Sequence, residues 1–234
     1  MEIAELAVVG LGHGSGEDVT LAGDAALAAS GWIGFYGLPP ALAAFLGRYA
    51  GTARVDLDRS LDAERLPAGF TARLADAAFG AARGFGRAAV AVAGHPSFGN
   101  PATRVLLARA AAAGVRVRLY GGASALDAYA QRTGRDPLEA GSALVDARVA
   151  LRDEYRLDPR LDLVCWNAAY LDGAQRAALA RQLACGRSPD APLHLFRSGA
   201  HGRPGEVAAY PLADAERWAR DIDYETTLIV PAPP

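Results

Sequence analysis

Three stretches of this chain combine glycine with residues able to do chemistry, and each reads as a loop leading into a helix. They are Gly10-Leu11-Gly12-His13-Gly14-Ser15-Gly16, Gly94-His95-Pro96-Ser97-Phe98-Gly99-Asn100-Pro101 and Gly121-Gly122-Ala123-Ser124-Ala125. Glycine lets a backbone approach a ligand closely, and the amides of a helix start favour negative charge. A GxGxG alone fits a nicotinamide cofactor, another nucleotide or a tight turn. The dinucleotide reading needs an acidic residue ending the second strand, about 20 residues on. Here that strand ends Phe35-Tyr36-Gly37, with no carboxylate, and the Walker-type GK[ST] is absent. His95 suits a base, a ligand contact or a turn residue bonded to backbone. Ser124 suits a helix cap. No Cys/His/Asp cluster has the spacing of a metal site.

Between these loops, strand-like and helix-like segments alternate, which favours a parallel or mixed sheet with covering helices. Leu6–Gly10, Gly31–Tyr36, Arg54–Leu57 and Ala88–Ala93 read as strands. The last is apolar throughout, as a central strand covered on both faces must be. Val19–Ala29, a segment opened by Pro39-Pro40, Ala68–Arg83 and Pro101–Ala113 read as helices, with Gly114 as a C-cap. Val115–Tyr120 alternates apolar residues with arginine, the pattern of a half-buried or edge strand. A helix over Ser124–Arg132 follows. Beyond it, strands at Ser142–Asp146, Leu161–Trp166, Leu193–Arg197, Glu206–Tyr210 and Thr226–Val230 surround helices at Gly173–Ala184 and Ala213–Arg220. The fold class is therefore α/β with two lobes. Residues 1–115 form a parallel, doubly wound lobe and 116–234 a mixed one; Pro231, Pro233 and Pro234 suggest a short tail.

The 234 residues are about half apolar, ample for a packed core. Net charge is −2, and all 24 cations other than histidine are arginine, so no basic face for nucleic acid is visible. The acidic start Met1-Glu2-Ile3-Ala4-Glu5 lacks the basic and apolar regions of a signal peptide, and no apolar run reaches a membrane-spanning length. A cytoplasmic setting with no membrane partner is expected, with Cys165 and Cys185 as reduced, buried thiols.

Taken together, the three loops resemble the tetrapyrrole methylase superfamily. Members open with a strand and a GxGxG-type loop followed by Leu-Thr, for which Val19-Thr20-Leu21 is an equivalent. A Gly-Asp-Pro or Gly-His-Pro loop follows their fourth strand, and a small-residue turn their fifth. Gly94-His95-Pro96 is similar to the borosin peptide α-N-methyltransferases and to the methylase-like domain fused to nucleotide pyrophosphohydrolases. Leu151-Arg152-Asp153, Leu163–Asn167 and the ending Thr226-Thr227-Leu228-Ile229-Val230-Pro231 resemble the borosin enzymes more. The resemblance implies S-adenosylmethionine held in a cleft between lobes. Its contacts would be Leu11, Gly12, His95, Phe98, Gly99, Ser124, Ala125, Trp166, Asn167, Phe196 and Thr227. It also implies a homodimer and no metal. The acceptor would be a precursor peptide or another small substrate, with backbone N-methylation during maturation of a ribosomally made peptide supplied as a separate chain.

One departure bears on the chemistry. Borosin enzymes carry tyrosines and an arginine after the third strand, where they polarise the peptide amide. The aligned residues Val55–Arg73 contain no tyrosine and offer Asp58, Arg59, Asp62, Glu64, Arg65 and Phe70. An amide nitrogen is a poor nucleophile, so some group must stabilise its imidate-like state. Arg65 and Arg59 are the electrostatic candidates, with His95 as the remaining catalytic candidate; a solvated charged loop is the competing explanation for the arginines. Methylation of a corrin-type macrocycle at carbon, and a cofactor-binding partner without activity, are the alternatives.

Overall fold

The computed structural model describes residues 3–60, 69–152, 155–197, 205–223 and 225–233. Two compact units divide the chain, one ending at Ser124 and the other beginning at Ala125.

The first unit runs β1 (Glu5–Gly10), α1 (Leu21–Ala28), β2 (Trp32–Phe35), α2 (Pro40–Phe45), β3 (Ala53–Asp56), α3 (Leu57–Ser60), α4 (Phe70–Phe85), β4 (Arg87–Val92), α5 (Pro101–Ala113) and β5 (Arg116–Tyr120). Its five strands pair in parallel in the order β3-β2-β4-β1-β5. Both faces of β1 and β4 are covered, which explains their continuous apolar sequence. Leu6, Val8, Ala88, Val90 and Val92 meet α4 and α5 on one face. Ala7, Val9, Ala89 and Ala91 meet Leu27 of α1 and Leu42 of α2 on the other. The buried positions of α4, from Phe70 through Leu74, Ala75, Ala78 and Phe79 to Ala82, recur at helical spacing. Burying each of Phe70, Leu74 and Phe79 contributes roughly 1.5–3 kcal/mol. Of the two positions its alternation allows, half-buried or edge, β5 takes the edge. It pairs with β1, and the first unit runs on to Ser124.

The connections set the site. α1 carries the chain from β1 across β4 to β2, while α5 carries it from β4 across β1 to β5 on the opposite face. The loops after β1 and β4 therefore part company at adjacent strand ends, the switch point at which open α/β sheets take ligands.

The second unit runs α6 (Ala125–Thr133), β6 (Ser142–Asp146), α7 (Ala147–Ala150), β7 (Asp162–Trp166), α8 (Gly173–Ala184), β8 (Pro192–Arg197), β9 (Glu206–Pro211), α9 (Ala215–Arg220) and β10 (Thr226–Val230). Its sheet, β6-β7-β10-β8-β9, is mixed: β6 and β7 are parallel and the remaining pairs antiparallel. One face carries a core of Leu163, Cys165, Leu195, Leu228 and Val230 against α8 and the fully buried Trp218 of α9. The other carries Val164, Phe196 and Ile229 against Ala125 and Tyr129 of α6. A reciprocal capping box between Asp172 and Gln175 starts α8.

Two sequence expectations change. The proline-rich end is packed: Pro231 and Ala232 are buried, and the Ala232 amide donates to Asp162 Oδ1 at 2.6 Å. Of the two thiols, Cys165 is buried but Cys185 is exposed, because it caps the exposed end of α8 rather than facing the sheet. No helix among the described residues is long and apolar enough to cross a membrane.

Candidate functional site

In the first unit the three glycine-rich loops converge at the ends of β4, β1 and β5. Gly12 and Gly94 form an antiparallel bridge: the Gly12 amide donates to Gly94 O at 3.2 Å and the Gly94 amide to Gly12 O at 2.7 Å. Both sit at positive φ, 68° and 67°, which glycine adopts without penalty. Val19 bridges Gly122 in the same way. Thr20 accepts from the Gly23 amide at 3.1 Å as N-cap of α1, while its hydroxyl donates to Gly121 O at 3.2 Å. The Val19-Thr20-Leu21 motif thus ties the first loop to the third.

Several of these glycines serve the neighbouring loops. A Cβ on Gly10 would lie 2.5 Å from Gly94 O, and one on Gly122 would lie 2.6 Å from both Gly10 O and Gly12 N. A Cβ on Gly16 would lie 2.2 Å from the Phe45 ring. Only glycine lets three backbones meet here, so close approach of backbone to backbone explains much of the motif. The result is a knot of peptide groups at the β1/β4 switch point.

His95 stands beside that knot. Its Nδ1 accepts from the Ser97 amide at 3.1 Å, which leaves the ring proton of the neutral form on Nε2. A Cβ on Gly121 would meet Nε2 at 3.1 Å, so the ring lies over that glycine. Phe98 is 45% exposed, its ring centroid 5.0 Å from that of His95. Gly99 continues the turn at φ 62°. Leu11 differs: its side chain is fully buried among Val9, Leu27, Ile33 and Leu46, so only its backbone is available to a ligand. Ser124 is buried immediately before α6.

In the second unit, the resemblance-derived residues Trp166, Thr227 and Phe196 form a row. Thr227 pairs with Phe196, and the β7–β10 register of Leu228 with Cys165 carries Trp166 next to Thr227. Asp146, opposite Trp166, extends the row to the edge. Phe196 is itself core, packed edge-on to Tyr129 with centroids 5.7 Å apart, and Thr227 is buried too. Asn167 follows Trp166 in the left-handed region, and its side-chain amide donates to Asp146 Oδ2 at 2.7 Å. Ala125 opens α6 and belongs to the same cluster as Phe196.

Of the proposed activating groups, Arg59 projects into solvent with its side chain 90% exposed and pairs with Asp56 at 3.3 Å, a surface contact of small energetic value. Arg65, with Asp62 and Glu64, lies outside the described residues. Sequence reasoning passed over Asp146, although an Asp before a short alanine-rich segment is a cap signal. It also passed over the hydrogen bond from Tyr36 Oη to Asn100 Oδ1, 2.7 Å long, at the ends of β2 and β4. No group of residues able to hold a metal ion occurs among the described residues.

Within the first unit, a switch point floored by peptide groups and an exposed aromatic beside a histidine fit a nucleoside-bearing cofactor; the second unit by itself presents a preset turn at Trp166-Asn167. The structure is similar to uroporphyrin-III C-methyltransferase from Thermus thermophilus, with TM-score 0.69 and 21% identity over 98% of this chain and 92% of that one. A uroporphyrin-III C-methyl transferase from Thermus thermophilus complexed with S-adenyl homocysteine gives 0.69 and 17% over 97% and 92%. A cobalamin biosynthetic cobalt precorrin-4 methyltransferase gives 0.68 and 14% over 97% and 94%. At such identities these likenesses show the fold. No curated protein sequence matches the chain. The model of the tetrapyrrole (corrin/porphyrin) methylases matches residues 5–198. The chain belongs to that family, whose members are S-adenosylmethionine-dependent methyltransferases.

Proposed function

We propose that this chain methylates a peptide, at a backbone amide nitrogen of a precursor supplied as a separate chain. The observation that carries the methyl-transfer half of this reading is the convergence of three loops at the β1/β4 switch point. When bound, S-adenosylmethionine supplies an electrophilic methyl group on a sulfonium, so the protein's task is alignment and exclusion of water. The backbone of Leu11 and Gly12, the His95–Phe98–Gly99 turn, and the Ser124-Ala125, Trp166-Asn167, Phe196 and Thr227 positions are the cofactor-binding set. His95, with Nδ1 held by a backbone amide, is an oriented ring suited to a ligand contact or to polarising an acceptor through Nε2–H. What supports the peptide half is the likeness of Gly94-His95-Pro96, the 151–153 segment and residues 226–231 to the borosin pattern.

A second reading has its own support: the structural neighbours named above are C-methyltransferases of tetrapyrrole-type substrates. The absence of tyrosine from residues 55–73 also removes the usual amide-activating groups. The test is incubation with methyl-labelled S-adenosylmethionine and either a peptide library or a reduced uroporphyrin-type macrocycle, followed by mass spectrometry. Label on a peptide backbone nitrogen supports the proposal, and label on macrocycle carbon replaces it with the second reading. Tight binding of S-adenosylhomocysteine with no label in either arm marks a cofactor-binding partner without turnover.

A further inference from the structure

Asn167 is the non-glycine residue with positive φ among the described residues, at φ 66° and ψ 19°. Such a conformation is costly for an L residue and ordinarily falls to glycine. It stands directly after β7, and the reading above assigns it to the cofactor. Its side chain reaches across to β6, where Nδ2 donates to Asp146 Oδ2 at 2.7 Å. The other carboxylate oxygen accepts from the Arg148 amide at 2.9 Å and so caps α7. A carboxylate only accepts, so Asp146 also dictates which end of the Asn167 amide faces it. On the far side, Asn167 O accepts from the Tyr170 amide at 3.2 Å and begins a turn over Ala168–Tyr170. Asp146 therefore joins three things: the end of β6, the start of α7 and the side chain of a residue in a sparsely populated backbone region. Held outliers of this kind mark preorganised sites.

We infer that Asp146 is a positioning residue for the cofactor: it holds Asn167 in the left-handed conformation and orients its amide before the nucleoside arrives. This rests on the S-adenosylmethionine reading of Asn167, and the test separates the two. Asp146→Ser retains a capping hydroxyl but is too short to reach Asn167, whereas Asp146→Asn keeps the cap through its one carbonyl oxygen and turns an NH2 donor toward the Asn167 amide. Calorimetry with S-adenosylhomocysteine and a thermal melt are run on wild type, both variants, Asn167→Gly and the Asp146→Ser/Asn167→Gly double variant. Asp146→Asn is expected to bind several-fold more weakly than wild type, because the Asn167 amide must turn over to meet that donor. Asp146→Ser is expected to bind about tenfold more weakly, about 1.4 kcal/mol, with its melting temperature retained. In the Asn167→Gly background the serine change adds nothing, because the side chain it would release is already gone. Should Asp146→Ser melt early, this coupling decides the matter: additive losses overturn the inference and non-additive ones uphold it. Wild-type affinity in Asp146→Ser overturns it as well. Failure of the wild type itself to bind S-adenosylhomocysteine fells the cofactor reading, and the inference with it.

Discussion

Replacing Gly122 with alanine tests the loop convergence on which the methyltransferase reading depends. The new Cβ would lie 2.6 Å from Gly10 O and from Gly12 N, about 0.8 Å inside ordinary contact, which begins at 3.4 Å. Both neighbours are backbone atoms, and the Gly12 amide is committed to Gly94 O. Neither can yield without disturbing the Gly12–Gly94 bridge. Overpacking of this kind costs about 1–3 kcal/mol, and a weakened backbone hydrogen bond adds about 1 kcal/mol. Against this, alanine restricts the unfolded chain and returns about 0.4–1 kcal/mol. The net loss is about 1–3.5 kcal/mol, or roughly 2–14 °C in melting temperature for a chain of this size. Affinity for S-adenosylhomocysteine should fall at least tenfold because the floor of the switch point moves. Gly84→Ala is the control: it lies in α4 with open space around the added methyl, and alanine there should stabilise by about 0.5–1 kcal/mol. Scanning calorimetry gives the first quantity and titration calorimetry the second. A Gly122→Ala protein that melts and binds like wild type would show that the third loop does not abut the first, and the reasoning fails.

Two further outcomes follow from burial in the second unit. Burial, reinforced by Arg135, lowers the pKa of His194 from its usual 6.5, while Nδ1 shares a hydrogen bond with Tyr129 Oη at 2.9 Å. The folded ring resists protonation, so its stabilising contribution is present above pH 6.5 and is lost as pH falls through the lowered folded value. Melts between about pH 7.5 and 5.5 should show a steeper acid loss for wild type than for His194→Gln; parallel curves would contradict this. Cys165 is held by burial, with Asp146 adding to the effect, at a pKa of about 12, whereas Cys185 is exposed. A thiolate-directed reagent should label Cys185 alone in the native protein and both residues in denaturant; native labelling of Cys165 would contradict its place in the core.

What was legible in the sequence had a strong local cause. All-apolar runs such as Ala88–Ala93 mark strands with two covered faces, and Pro101 after Asn100 marks the start of α5, where Asn100 Oδ1 accepts from the Thr103 amide. The glycine loops were equally plain as loops. Their partners were not: periodicity has no means of saying that Gly10 and Gly122 make room for each other rather than for a ligand. Facing was lost for the same reason. Leu11 and Phe196 occupy resemblance-derived binding positions, yet their side chains belong to the cores of their units. The α7 turn over Ala147–Ala150 is too short to show a helical period.

Asn167 shows why the remaining detail needed coordinates. A glycine there would have announced a left-handed turn in the sequence, but it would have carried no side chain to fix. Asparagine accepts the same backbone at some cost and offsets it with a hydrogen bond to a carboxylate 21 positions away. That bond exists because β6 and β7 are parallel and in a register that sets Asp146 opposite Trp166. A local signal was exchanged for a tertiary one. The same exchange accounts for Thr20, which caps α1 and whose hydrogen bond to Gly121 depends on β5 lying beside β1. Residues that hold a site rather than form it are therefore the ones that sequence hides. In this fold they stand at strand ends, where one side chain can serve both the element it terminates and the loop alongside.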